Sequence, residues 1–134
     1  MTTYLLDANV LIALTVADHE HHERASAWAS GVAEFAVCPV VEGALVRFLV
    51  RGGESAAVAQ PVLRAVHALP GCEFWPDSLP YAGADLGRVR GHRQVTDAYL
   101  VSLAAERSDA VVATLDEGLV QSQPERTLLV PAVR

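Results

Sequence analysis

The chain contains no lysine. All ten of its basic residues are arginine, set against sixteen acidic ones, for a formal net charge of −6. Without lysine there is no P-loop, whose GxxxxGK[ST] motif brings a lysine to the nucleotide phosphates. A phosphoacceptor receiver domain, which also clusters aspartates at strand ends, relies on a lysine after a late strand and is excluded on the same ground. The net charge means that bulk electrostatics do not attract a polyanion, so a nucleic-acid substrate would have to be met by local arginines and bound cations. Cysteine is scarce: Cys38 and Cys72 are the only two, and they lack CxxC spacing. That argues against a zinc site and, in a reducing compartment, against a structural disulfide; both read as small core residues. No GxGxxG follows the first apolar segment, so a dinucleotide fold is unsupported. Long apolar runs are missing too. The longest stretch free of Asp, Glu, Lys and Arg is ten residues, Ala8 to Ala17, where a membrane span needs roughly 18 or more apolar residues. No basic region precedes the N-terminal apolar run, so it does not read as a secretory signal, and a cytoplasmic protein is expected.

What is present is enough for a core. The 134 residues are 51% hydrophobic, which suits one domain spanning 1–134. Tyr4 to Leu6 reads as a first strand, with Asn9 capping a helix through Leu14. Asp18 is placed to cap a second helix carrying Ala25, Trp28, Ala29 and Val32 near one face. "EFAVCP" reads as a second strand closed by Pro39, and a helix follows from about Val40 to Val50, stopped by "RGG". "SAAVAQPVLRAVHAL" reads as helical, with Pro61 implying a late start or a kink. "CEFWP" is a third strand, "DLGRVRGHRQV" a polar loop, and Thr96 to Arg107 a long helix. "AVVAT" and "TLLV" supply a fourth and a fifth strand. Strands alternate with helices throughout, which points to an α/β fold with a mainly parallel sheet.

Four carboxylates occupy related places in this pattern. Asp7 directly follows the first strand, Glu42 lies in the first turn after the second, Asp97 opens the long late helix, and Asp116 follows the fourth strand by two residues. Ligands of parallel α/β sheets gather outside the carboxyl ends of the strands. Glu42 aligns with Leu45, Val46 and Leu49 at helical spacing, Asp97 with Leu100, Val101 and Ala104, and Asp116 with Leu119 and Val120. An acid in a first helical turn is common because the helix dipole favours it. The dipole does not, however, require alignment with an apolar stripe, which turns each acid toward a core or a cleft. Carboxylates held together repel one another unless a cation joins them, and hard oxygen ligands of this kind suit Mg²⁺ or Mn²⁺. Asp18, Asp77, Asp85 and Asp109 lack the alignment and read as caps or solvated charges.

Five stretches in this order, "LLDANVLIAL", "HEHHERASAWA", "PVVEGALVRFL", "QVTDAYLVSLA" and "VVATLDEGL", make the chain resemble the PIN-domain ribonucleases, specifically the VapC-type toxins of bacterial toxin–antitoxin pairs. The resemblance covers nearly the whole chain. It implies a PIN-like, Rossmann-like α/β/α sandwich of three layers around a five-stranded sheet, an acidic metal site, and endonucleolytic RNA cleavage leaving a 5′-phosphate and a 3′-hydroxyl. Asp7, Glu42, Asp97 and Asp116 fall on the family's acidic quartet, and Thr114 falls where a hydroxyl residue is often found. Glu117 departs from the pattern, standing where a basic or neutral residue is more usual. On this reading Asp7 and Asp97 hold a Mg²⁺ or Mn²⁺ ion that activates water and neutralises the phosphate. Glu42 orients water or completes the metal shell, Asp116 holds a second ion or tunes the first, and Thr114 donates a hydrogen bond. The resemblance also implies a homodimer and a small antitoxin partner, for which the apolar faces around "ALVRFLV" and "AVHAL" are candidate surfaces.

Arg88, Arg90 and Arg93 crowd the loop before Asp97, with His92 among them. They are candidates for an RNA-binding patch, since arginine suits bidentate phosphate contacts; an ordinary solvated loop or a docking surface for a partner is the competing reading. Arg47, Arg51 and Arg64 read as the wet faces of helices. "DHEHHERA" is no HExxH motif, because the position that needs histidine holds Glu23; a solvated helix start is expected, with a weak His19/Glu23 ion site as the alternative. Trp28 and Trp75 read as core or interface residues. The rival to an active nuclease is a degenerate PIN domain that binds only RNA or a partner.

Overall fold

The crossing point of the sheet fixes everything that follows. In the computed structural model, which describes residues 1–133, five strands form one sheet, every neighbouring pair parallel. The chain runs outward from β1 (Thr3–Leu6) through β2 (Phe35–Val37) to β3 (Cys72–Phe74), then returns to the other side of β1 for β4 (Ala110–Thr114) and β5 (Thr127–Leu129). The strand order therefore reverses between β1 and β4, where adjacent connections part and leave a crevice at the carboxyl ends of the strands. The sequence pattern led us to expect a mainly parallel sheet; among the described residues it is wholly parallel, as expected where each connection carries a helix.

Six helices fill those connections: α1 (Ala8–Thr15), α2 (His22–Ser30), α3 (Pro39–Arg51), α4 (Ala56–His67), α5 (Val95–Ala105) and α6 (Glu117–Ser122). None is long and apolar enough to cross a membrane. The central strands are sealed by aliphatic side chains. Leu5, Leu6, Ala36, Val37, Val112 and Ala113 are essentially without solvent exposure, and burying one leucine contributes about 2 kcal/mol. Helix α5 is the most deeply set, with Ala98, Tyr99, Leu100, Val101, Leu103 and Ala104 all buried. The Tyr99 hydroxyl donates to the Leu79 carbonyl at 2.8 Å and so pins the connection after β3. Trp75 is buried under the Arg107 guanidinium, 3.8 Å from the ring centre. Gly71 is required: its φ is +79°, and a Cβ there would stand 1.9 Å from the Ala33 carbonyl oxygen.

Several local expectations change. Asn9 does not cap α1; Asp7 does, its Oδ1 accepting from the Ala8 N–H at 2.7 Å. Asp18 does not cap α2, which begins four residues later behind His21. The His19 ring accepts the His21 N–H at 3.0 Å, and α2 has no side-chain cap. Pro61 neither delays α4 nor ends it, because the helix starts at Ala56 and runs through it. The carbonyl it leaves without a helical donor belongs to Ala57, which is exposed, so water can serve it. The connection before α5 carries two short 3₁₀ turns, Tyr81–Gly83 and His92–Gln94. Cys38 is buried and Cys72 half-buried, both free; burial lifts each thiol to about 11, so neither is a thiolate at neutral pH. Arg47, Arg51 and Arg64 are exposed, as their helical phase requires.

Candidate active site

Asp7 is the residue immediately after β1, and its N–H donates to the Ala113 carbonyl of β4 at 2.9 Å. That ladder bond places the Asp7 side chain beside Thr114, the last residue of β4. The Thr114 hydroxyl donates to Asp7 Oδ2 at 2.7 Å. Both residues are buried, Asp7 at 6% exposure and Thr114 at 0%. The same hydroxyl oxygen accepts the Asp116 N–H at 3.0 Å and the Asn9 amide at 3.4 Å. Asn9 Oδ1 in turn accepts the Leu115 N–H at 3.1 Å. One threonine hydroxyl thus sets the Asp7 carboxylate and the backbone carrying Asp116. Asp116 itself caps α6, its Oδ1 accepting from Gly118 at 2.8 Å and Leu119 at 3.3 Å.

Asp97 reaches the same place from the first turn of α5. Burial pushes its carboxyl up to about 7, and the charges of Asp7 and Asp116 push in the same direction. Asp7 is raised as well, first by burial and then by the Asp116 charge, while the hydrogen bonds from Thr114 and Ala8 hold it down. Repulsion of this kind is felt only by carboxylates that have been brought together. Asp97 and Asp116 line one cavity of about 180 Å³, with Arg88, Gln94, Leu119 and Gln123 in its wall. A larger apolar cavity of about 410 Å³, walled by Leu6, Leu14, Trp28 and Phe35 among others, contains none of the acids.

Glu42 stands differently. It lies in the first turn of α3, but its Oε2 accepts a hydrogen bond from His67 Nε2 of α4 at 2.5 Å. Its charge raises the Cys72 thiol, and it is not among the charges acting on Asp7 or Asp97. Three of the four acids therefore converge, and the fourth is turned toward α4 and β3. The loop arginines also divide. Arg88 Nη1 donates to the Ser122 carbonyl at 2.8 Å and to Gln123 Oε1 at 2.7 Å, and Nη2 lies 3.7 Å from Glu125. It serves as a tie between the loop and the end of α6. Arg90, Arg93 and His92 are exposed. Glu117 is exposed in the first turn of α6. Sequence reading missed Asn9, His67 and Gln123 as neighbours of the acids. Only Asn9 left a signal, two residues from Asp7 in a segment otherwise apolar.

Among the described residues, no three His, Cys, Asp or Glu side chains stand close enough together to enclose an ion by themselves. Mg²⁺ does not need such a cage, since it commonly takes one or two carboxylates and keeps several waters. The donor set fits a hard divalent cation: oxygen ligands only, two of them with carboxyls raised in part by mutual repulsion.

Residues 4–122 match the PIN domain. The chain is 52% identical over 130 residues to ribonuclease VapC29 of Mycobacterium tuberculosis, covering 96% of this chain and 97% of that one. It is 36% identical over 130 residues to ribonuclease VapC39 of the same organism, covering 90% and 93%. Among solved structures, it resembles the Mycobacterium tuberculosis toxin VapC20, described as cleaving the sarcin–ricin loop, with a TM-score of 0.69 over 90% of this chain and 95% of that one. Identity there is 20%, so that likeness speaks for the fold. With the strand order, the acids at its reversal point and these matches in agreement, the chain belongs to the PIN-domain family, in its VapC group.

Proposed function

We propose that this chain is an endoribonuclease dependent on Mg²⁺ or Mn²⁺, acting as the toxin of a toxin–antitoxin pair. The observation that carries the reading is the convergence of Asp7, Asp97 and Asp116 at the reversal point of the sheet, with the Asp97 carboxyl lifted to about 7 by burial and by the other two. The 52% identity to a protein named a ribonuclease supports RNA as the substrate. Asp7 and Asp97 would hold the ion, with Asp116 as a further or tuning ligand. When bound, a divalent cation supplies charge neutralisation at the phosphate and lowers the pKa of water. The chain's own work is positioning. Thr114 and the Ala8 N–H fix both oxygens of Asp7, so the carboxylate is ordered before substrate arrives. Thr114 also orders the turn bearing Asp116. The raised Asp97 carboxyl would favour its carboxylate form with a cation held beside it. Attack on the phosphodiester is in line, leaving a 5′-phosphate and a 3′-hydroxyl. Glu42 is assigned a reserve role in orienting water, reached only by parting from His67. Arg90 and Arg93 are free to meet the RNA backbone, whereas Arg88 shapes the cavity.

A binding-only PIN domain has less support, because the relative of 52% identity over nearly the whole chain is named a ribonuclease. The antitoxin and a homodimer remain part of the proposal. Phe48 and Val50 on α3, Val58 on α4 and Leu69 beyond it are exposed apolar residues suited to such surfaces, and a strict monomer in light scattering at micromolar concentration would remove the dimer. The function itself is tested by incubating total RNA with the protein, with and without Mg²⁺ or Mn²⁺, and mapping the ends. Cleavage that needs the ion and yields 5′-phosphates supports the reading; intact RNA under all conditions refutes it.

A further inference from the structure

We propose that Arg88 is a positioning residue for the metal site: it ties α6 to the loop stapled onto α5, fixes how far Asp116 stands from Asp97, and so sets the grip on a divalent cation. It is then no contact for the RNA backbone. The proposal rests on the nuclease reading and assigns a support to that same site.

Asp97 and Asp116 ride on elements of unequal firmness. Asp97 lies in the first turn of α5, where Ala98, Tyr99, Leu100 and Val101 are all buried. Asp116 caps α6, a helix of six residues. A helix that short has little stability of its own and takes its place from tertiary contacts. At its start, Gly118 and Leu119 donate to Asp116 Oδ1 at 2.8 and 3.3 Å. Its far end is held by Arg88. Nη1 donates to the Ser122 carbonyl at 2.8 Å and to Gln123 Oε1 at 2.7 Å, which uses both of its hydrogens. Nη2 lies 3.7 Å from Glu125. Gln123 is a firm anchor: it is 9% exposed, its N–H donates to the Leu119 carbonyl at 2.9 Å, and its carbonyl accepts the Thr127 hydroxyl at 2.8 Å.

The loop side of the tie is fastened to α5. The Asp85 N–H donates to Ser102 Oγ of α5 at 2.9 Å. The Arg90 N–H donates at 2.6 Å to Oε1 of Gln94, the residue before α5. Residues 86–93 are exposed, Val89 excepted. Among the described residues, Arg88 makes the only side-chain hydrogen bonds between this stretch and α6 with its C-terminal cap. Arg88, Val89, Ser122 and Gln123 line the same 180 Å³ cavity as the two acids, so the tie joins the loop wall of that cavity to its helix wall. Arg88 is not among the charges acting on Asp7 or Asp97. What it supplies to the acids is a fixed separation.

The test compares Arg88→Ala, Arg88→Lys, Gln123→Ala and Arg90→Ala with wild type in the full chain. Mn²⁺ binding to RNA-free protein is followed by electron paramagnetic resonance, RNA binding by anisotropy in EDTA, and local opening by amide hydrogen exchange. Arg88→Ala should weaken Mn²⁺ binding roughly tenfold, the lower end of what supports around metal ligands contribute. It should speed exchange in residues 86–93 and 117–123 and leave RNA anisotropy and its salt dependence unchanged. Cleavage lost at low Mn²⁺ should return when Mn²⁺ is raised. Arg88→Lys keeps the charge but not the planar fork, so it should recover little of the Mn²⁺ affinity. Gln123→Ala should weaken Mn²⁺ in the same way, and the double variant should be no worse than Arg88→Ala, as for two partners in one contact. Arg90→Ala should do the reverse, weakening RNA binding with a shallower salt dependence and sparing Mn²⁺. Weaker RNA binding with unchanged Mn²⁺ affinity in Arg88→Ala would overturn the proposal, as would full recovery by lysine. So would a lowered Tm with equal loss in every readout, which would mean a general structural role. Should wild type bind no Mn²⁺ and cut no RNA, the nuclease reading fails, while exchange and anisotropy still decide whether Arg88 holds α6 or meets RNA.

Discussion

His19, Glu20, His21, His22 and Glu23 crowd metal-ligating residue types into one short segment, whereas Asp7 and Thr114 lie 107 residues apart. The crowded segment does not converge on anything. His22 Nδ1 lies 2.8 Å from the Ala13 carbonyl, which can only accept, so the ring is a donor docking α2 on α1. His19 accepts a backbone N–H, His21 lies 3.5 Å from exposed Glu20, and Glu23 is exposed. The distant acids meet because parallel strands β1 and β4 are in register, Leu6 beside Ala113, so that the residues just beyond their ends become neighbours. Acidic side chains in such a fold are brought together by strand ends, and local density of ligand types is a poor guide to where they meet.

The sharpest way to break this contrast is Asp97→Asn. We expect RNA cleavage to fall roughly 10³-fold, the scale of losing one positioned catalytic group, with the fold intact. Stability should move the other way. The Asp97 carboxyl is raised from the usual 3.8 to about 7, so the folded chain holds a proton that the unfolded chain releases. Its contribution to stability is therefore unimpaired below about pH 4, declines as pH rises toward 7, and is level above that. In metal-free buffer, thermal melts of Asp97→Asn should lack this part of the pH dependence and lie above wild type at pH 8. A lower Tm at pH 8 would contradict the repulsion inferred here.

Thr114→Val comes next. It deprives buried Asp7 of a donor and the Asp116 N–H of an acceptor, at a cost of about 1–3 kcal/mol in denaturant unfolding, with a drop in cleavage; Thr114→Ser should recover most of both. Glu42→Gln should lower cleavage clearly less than Asp97→Asn, since Glu42 is engaged by His67 outside the trio. Equal losses would place all four acids on one footing. The smallest effect belongs to the histidine segment: His22→Ala should cost about 1 kcal/mol of stability and leave the kcat of cleavage and its Mn²⁺ dependence unchanged.

Much of this was legible in the sequence, for physical reasons that can be named. Asp97 was legible because Leu100, Val101 and Ala104 recur on its face of the helix, and all three are buried. The strands were legible from short β-branched and aliphatic runs between helices. The caps were less so, because Asp7, Asn9 and Asp18 are equally able to cap a helix and only the fold shows the Ala8 N–H donating to Asp7. Glu42 has the same phase as Asp97, yet its partner His67 comes from the next helix, a tertiary contact that periodicity does not encode. The Arg88–Gln123 pair is of the same kind. A loop arginine followed at a distance by a polar residue reads as solvated surface until the end of α6 is folded against that loop.

The most direct test of the account is a Mn²⁺ titration of the RNA-free protein at pH 8, followed by electron paramagnetic resonance of the free ion. Saturable binding that weakens at least tenfold in Asp97→Asn and persists in His19→Ala and His22→Ala is the predicted result. Binding that is unchanged in Asp97→Asn, or lost with the histidines, would contradict it.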